Sequence, residues 1–165
     1  MKKILLAILV ALPMLAVAQS PKFGVVNTDA VMEAMPDVKT VGEQIDAATK
    51  KYEDEFQKLQ EQLNKEYTDF QALDASTPES IKQRRQQEIQ ELYQKSEQFR
   101  VTASQDLQRQ HEQLMQPVVA KVTTAINAVG KEQNLTFIFP HNLPLYTGAD
   151  VIDITPLVKA NLGLK

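Results

Sequence analysis

The chain has 165 residues, of which 18 are basic, 21 are acidic, two are histidine and none is cysteine. The absence of cysteine excludes disulfide bonds, thiol catalysis and thiolate metal sites. The net charge of −3 argues against nucleic acid as a partner, because phosphate binding requires a basic patch. A chain of this length fits one domain of moderate size.

Residues 1–18 have the pattern of a secretory signal peptide. Lys2 and Lys3 precede an apolar run, and small residues at 16–18 form a cleavage site. The run is shorter than the roughly 20 residues that a membrane span needs. We therefore predict cleavage after Ala18 and export of a soluble protein, with a retained membrane anchor as the alternative. The remaining chain has 16 basic and 21 acidic side chains, which gives a net charge of −5.

A short strand and a short helix are predicted directly after this segment. Residues 22–27, KFGVVN, form a β-type run. Thr28 and Asp29 can cap a brief helix through Met35, which Pro36 interrupts.

Residues 37–73 follow a heptad pattern, in which apolar residues alternate at spacings of three and four. One series of seam positions holds Ile45, Tyr52, Leu59 and Leu73, with Glu66 as a break, and the other holds Thr49, Phe56, Leu63 and Phe70. The remaining faces are rich in Gln, Lys and Glu. This pattern predicts one long helix that packs along a seam.

The octet DASTPESI, residues 74–81, predicts a tight turn between this helix and a second one. Thr77 can be the N-cap with Pro78 in the first helical position, or Ser76 and Glu79 can form a capping box. A connection this short makes the two helices antiparallel neighbours. The sequence therefore predicts a helical hairpin with its tip at 75–79.

The second helix is predicted to run to about Gln133 with a sparse seam. Its apolar positions are Ile89, Leu92, Phe99, Leu107, Leu114 and Val118, and its gaps are Ser96, Ala103 and Asp106. Folding the chain at residue 77 places Pro36 opposite Pro117. Because proline removes a backbone donor, we predict a hinged neck at this level.

The end of the chain predicts two short strands and a last helix. Residues 135–139 form an apolar strand, 140–150 a loop or a hairpin, 151–154 a second strand, and 155–162 a helix. The fold class is thus α+β, with a long antiparallel helical hairpin, the arm, on a small β body built from both chain ends. A sheet this small leaves open edges, so we expect the chain to oligomerise.

Nothing in the sequence predicts catalysis. His111 and His141 are far apart and belong to no pattern of metal ligands, so we interpret both as ordinary surface or packing residues. Nucleotide-binding, nucleophile-elbow and zinc-protease motifs are absent from the sequence. We expect no enzyme activity, no cofactor and no metal site.

The apolar stripe of the arm allows two interpretations. Its side chains can close the hairpin only, or they can close it and also contact a client protein, because exposed apolar surface often marks binding. The candidate client-binding residues are Tyr52, Phe56, Leu59, Leu63, Tyr67, Phe70, Leu92, Tyr93 and Phe99.

Both ends of the chain resemble the Skp/OmpH family of periplasmic chaperones. KFGVVNTDAVMEAMP, from Lys22, matches the opening strand and short helix of that family. LPLYTGADVIDITPLVKANL matches its closing part, with Tyr146 and the sequence Asp153-Ile154-Thr155 before the last helix. A helical hairpin that lacks glycine from Glu43 to Val129 lies between the two, as expected for the family.

The resemblance implies a homotrimer with a β-barrel-like assembly domain and three arms around a cavity. In this interpretation residues 19–36 and 117–165 form the trimerisation body, and 37–116 form the arm. The expected trimerisation residues, which we predict cannot be buried in one chain, are Val25, Val26, Phe137, Phe139, Ile152 and Ile154.

The implied function is that of an ATP-independent periplasmic holdase for unfolded outer-membrane β-barrel proteins. One feature departs from the family: residues 42–116 carry 10 basic and 15 acidic side chains, where well-known members have positively charged arms. The alternative is a structural coiled-coil spacer that contacts one folded partner in the cell envelope.

Overall fold

The structure, a computed structural model, describes residues 21–164. The predicted signal peptide and its cleavage site lie outside these residues. The elements in chain order are β1 (Phe23–Val26), α1 (Thr28–Glu33), α2 (Pro36–Gln71), α3 (Glu79–Glu132), β2 (Phe137–Pro140), β3 (Ile152–Asp153) and α4 (Thr155–Asn161). The predicted α+β class, with a helical hairpin on a small body made from both chain ends, is confirmed.

The body contains a three-stranded parallel sheet in the order β2-β1-β3. Phe23 pairs with Phe137, and Gly24 pairs with both Ile138 and Ile152. The whole arm connects β1 to β2, whereas the 141–151 loop connects β2 to β3. This loop passes over the face of the sheet that carries Phe23.

Helices cover the opposite face of the sheet and form an apolar core with it. Val26 and Ile154 from the strand region are buried there among side chains of α1, α3 and α4. The buried cluster consists of Val26, Val31, Met35, Val41, Val118, Val122, Ala125, Val129, Ile154 and Val158. The core therefore continues into the base of the arm, through Val41 and Val118.

Two glycines allow the close packing of this core. A Cβ atom at Gly130 of α3 would lie 2.8 Å from Cδ1 of Ile138 on β2. A Cβ atom at Gly24 of β1 would lie 2.7 Å from Cδ1 of Leu135. Both distances are shorter than van der Waals contact, so a larger residue at either position would require the side chain of Ile138 or Leu135 to shift.

A hydrogen-bond chain joins the two ends of the protein. The backbone amide of Asn27 donates to Oγ1 of Thr155 over 2.9 Å, and the Thr155 hydroxyl donates to Asp153 over 2.6 Å. The bonds from the Thr155 hydroxyl and amide lower the pKa of Asp153. Asn27 also caps α1, where its side chain accepts from the amide of Ala30, so the predicted cap at Thr28 or Asp29 is wrong by one or two residues.

The arm is an antiparallel hairpin of α2 and α3, with 36 and 54 residues. All of the predicted seam positions on α2 are half-buried or buried, whereas most of the positions between them are exposed. Glu66, which breaks the apolar series, is half-buried and lies 3.5 Å from Arg85 of α3. The heptad interpretation is confirmed.

An ion pair joins the two helices at the neck. The Asp37 carboxylate lies 2.6 Å from the Lys121 ammonium, a contact that lowers the pKa of Asp37. Helix α3 continues through Pro117 without a break. The alignment of Pro36 with Pro117 and the hinge at this level stay predictions.

The tip is a turn over residues 72–78, close to its predicted place. Neither of the two predicted side-chain caps, at Thr77 or Ser76, is present. Helix α3 begins instead with backbone hydrogen bonds to the carbonyl of Pro78. Ser76 instead donates from its amide and its hydroxyl to Asp74, each over 2.7 Å. These bonds lower the pKa of Asp74 and stabilise the turn.

Candidate functional site

The nine candidate client-binding residues of the arm fall into three groups by exposure. Leu59 and Leu92 are buried in the seam, and Tyr67 and Tyr93 are more than half exposed. The half-buried group consists of Tyr52, Phe56, Leu63, Phe70 and Phe99. The apolar stripe of the arm is therefore buried at two leucines and is partly exposed to solvent at its other positions.

The middle of the arm is packed around one aromatic pair. The rings of Tyr52 and Phe99 lie 6.0 Å apart and are tilted by 57°. The Tyr52 hydroxyl donates to Asp106 over 3.0 Å, and this bond raises the pKa of Tyr52. Asp106 also pairs with Arg109. The gap predicted at Asp106 is thus occupied by a polar contact across the seam.

Small residues leave hollows on both sides of this pair. A recess of about 270 Å³ is lined by Phe56, Ala103 and Leu107 together with the pair. A second recess of about 590 Å³ is lined by Ala47 and Ala48 of α2. Apolar carbon is therefore accessible along this part of the seam.

A second polar contact lies nearer the tip. The Gln60 side chain donates to the Ser96 hydroxyl over 2.7 Å, and Ser96 is almost wholly buried. The seam of the arm thus contains partly buried hydrogen bonds where a uniform coiled coil would contain apolar contacts. Such pairs fix the alignment of the helices and contribute little net stability.

The six predicted trimerisation residues also separate into groups. Val26 and Ile154 are buried in the core of the single chain, so the prediction that they need another chain for burial is wrong. Val25 is half-buried, and Phe137, Phe139 and Ile152 are exposed. Side chains alternate between the two faces of a strand, which explains why Val25 and Val26 have different surroundings.

The exposed side of the sheet forms one aromatic surface, which we call the outer sheet face and define as Phe23, Val25, Phe137 and Phe139. Phe137 stacks on Phe23 at 6.3 Å and on Phe139 at 6.1 Å between ring centroids. Phe23 was missing from the sequence prediction, although strand alternation already places it on the side of Val25.

The 141–151 loop extends this surface. Its side chains Leu143, Leu145 and Tyr146 are all largely exposed. Parallel sheets are almost always covered on both faces, yet helices cover this one on a single side. The outer sheet face and its loop are therefore the part of the body that most needs a partner.

The described residues offer little for other chemistry. His111 and His141 are exposed, and no three histidine or acidic side chains within residues 21–164 are arranged to hold a metal ion. Among the helices of this range, none is apolar over a length sufficient to cross a membrane.

Comparisons with known proteins match nearly the whole described chain. The family model described as outer membrane protein (OmpH-like) matches residues 22–162. This is a family of periplasmic chaperones and not of enzymes, which confirms both the resemblance and the expectation of no enzyme activity. No curated protein matches the sequence.

A solved structure has the same fold. It is the crystal structure of a protein from Caulobacter crescentus that is described as an OmpH-like outer membrane chaperone. The TM-score is 0.73 at 13% sequence identity, and the match covers 87% of this chain and 84% of the other. At this identity the likeness concerns the arrangement of the helices and strands.

Proposed function

The chain belongs to the OmpH-like family, and we propose that it is a periplasmic holdase chaperone for unfolded outer-membrane proteins. In this proposal three copies assemble through their bodies, and their arms enclose a client without using ATP. The observation that carries the proposal is the apolar surface exposed along the arm, where Tyr67 and Tyr93, which lie beside the seam positions, are more than half exposed.

The client contact suits the chemistry of a β-barrel strand. Such a strand alternates apolar and polar residues and so offers one apolar side. Each apolar side chain that it buries contributes about 1.5–3 kcal/mol before ordering costs. Several such contacts on three arms add by multivalency, and each is weak enough to allow release without nucleotide.

Charge does not favour this binding. Residues 42–116 have 10 basic and 15 acidic side chains, so an acidic client is repelled at long range. We therefore assign client retention to apolar contact. Added salt should leave the affinity unchanged or raise it slightly, because salt screens the repulsion.

The outer sheet face supports the assembly part of the proposal. Phe137 and Phe139 are exposed on a parallel sheet whose other face is already covered. Copies of the chain that pack these faces together would supply the missing layer.

The experiment is a retention assay with an outer-membrane β-barrel protein diluted from urea. Replacement of Tyr67 and Tyr93 by serine should weaken retention of the soluble client several-fold, with unchanged helix content and assembly state. Val119→Ser is the matched control, because Val119 is exposed on α3 below the arm. Equal retention by both variants, or a steep loss of affinity between low and physiological salt, would contradict the proposal.

The spacer alternative makes a different prediction for the same arm. A spacer would bind one folded partner in fixed stoichiometry, and it would not delay the aggregation of unfolded barrel proteins. Crosslinking in the periplasm followed by mass spectrometry distinguishes the two, since a holdase should be captured with many barrel precursors.

A further inference from the structure

A recess of about 300 Å³ lies between the outer sheet face and the 141–151 loop. The sheet contributes Phe23, Val25 and Phe139 to its lining, and the loop contributes Leu143 and Tyr146. This volume is at the low end of the roughly 300–1,000 Å³ typical of binding pockets. The recess therefore suits one or two large apolar side chains.

The loop that roofs the recess also carries a free apolar side chain. Leu145 lies between Pro144 and Tyr146, which both line the recess, and its own side chain is fully exposed. A single exposed leucine needs no explanation, but this one extends a continuous apolar surface. Of the 13 large hydrophobic side chains exposed among the described residues, six belong to the outer sheet face or this loop: Phe23, Phe137, Phe139, Leu143, Leu145 and Tyr146.

We propose that Leu145 of one copy fills the recess of the next copy in the assembly. The protruding side chain and the recess match in chemistry and size, and they occupy different positions on one chain. Such a contact is reciprocal in a twofold dimer and head-to-tail in a ring, and the proposed trimer requires the head-to-tail form, which closes into a ring when the rotation allows it. The inference rests on the proposed trimer and specifies the residues that join its subunits.

A second copy fits this recess better than a client does. The recess is continuous with the outer sheet face, which already lacks a covering layer. A client strand would need a long groove with repeated apolar contacts, whereas the recess has room for one or two side chains. The arms, and not this recess, have the extended surface that a client requires.

The absence of cysteine makes a disulfide test direct, because every introduced thiol is unique. Leu145→Cys and Val25→Cys chains with different tags are unfolded, mixed, refolded and oxidised. The expected product is a mixed disulfide between residue 145 of one chain and residue 25 of another. A mixture of Val101→Cys and Val25→Cys is the control, because Val101 is exposed on the arm and should give no such product.

A second variant tests the energetics. Leu145→Asp should weaken the assembly more than tenfold in light scattering on dilution, with unchanged helix content, whereas Val101→Asp should not. A trimer that gives no 145–25 disulfide above the control, or that tolerates Leu145→Asp, overturns this contact. If such a trimer still retains clients, the proposed function stands without it. A wild-type chain that is monomeric overturns the contact and the trimer together.

Discussion

The body and the arm are held together in different ways. One cluster of ten buried apolar side chains holds the body together, and nine of the ten belong to the body, with Val41 at the base of the arm. The arm is longer, but between residues 46 and 113 it buries four, and two of these, Ser96 and Ala103, are small. Hydrogen bonds such as Gln60–Ser96 fill the seam where apolar contacts would otherwise lie. The comparison indicates a firmly packed base that carries a weakly packed arm with accessible apolar surface.

The largest difference in stability between the body and the arm should appear when a buried side chain is truncated in each. Ile154→Ala removes a fully buried side chain from the body and should cost about 2–5 kcal/mol in the free energy of unfolding. Leu92→Ala should cost less, since the thin seam around it can collapse. Urea denaturation at fixed protein concentration measures both, and equal losses would contradict the comparison.

Acid should weaken the body through Asp153. Its lowered pKa means that the stabilisation is complete above the ordinary value of about 3.9 and is lost as the pH falls through the folded value. Asp153→Asn should cost about 1 kcal/mol at neutral pH, since the contact is partly screened by solvent, and should reduce the loss below pH 4. Thermal unfolding across pH 2–7 tests this, and an unchanged acid profile would contradict it.

Replacement of a glycine in a helix should have a smaller effect on stability, and at Gly42 it should stabilise the protein. Gly42 lies in α2 with open space around it, so Gly42→Ala should stabilise the helix by about 1 kcal/mol. Gly130→Ala should lack this gain, because the new Cβ atom meets Ile138 at 2.8 Å. An equal rise in melting temperature for both variants would show that the packing of α3 on the sheet is not tight.

The smallest effect is expected in the seam of the arm. The double replacement Gln60→Leu with Ser96→Ala removes both polar partners, so the free energy of unfolding should change by less than about 1 kcal/mol. Ser96→Ala alone should destabilise more than the double replacement does, because Gln60 then loses its partner. A cooperative loss of several kcal/mol would show that the polar contact stabilises the arm substantially.

The features of the arm that depend on periodicity and on local signals are predictable from the sequence. The heptad placed the seam of α2 correctly, and the octet around Pro78 placed the tip within a few residues. The contact of Asp37 with Lys121 at the neck has no such local signal, because it joins residues that are far apart in the sequence and depends on how the two helices pack.

The candidate surfaces were only partly predictable for a similar reason. Alternation in β1 separates Val25 from Val26, but burial of Val26 and Ile154 depends on helices that pack from distant parts of the chain. The position of the 141–151 loop over the outer sheet face is also not predictable, since a loop sequence does not indicate which face of a sheet the loop will cross.

The most direct test of the central claim is native-state hydrogen exchange resolved along the chain. Backbone amides near Val129 and Val158 should exchange only through global unfolding, whereas amides at residues 50–70 and 85–105 should exchange through local opening at lower free energy. Addition of an unfolded barrel client should increase protection in the arm and leave the body unchanged. Equal protection of body and arm in the free protein, with no change in the arm on client binding, would contradict the account.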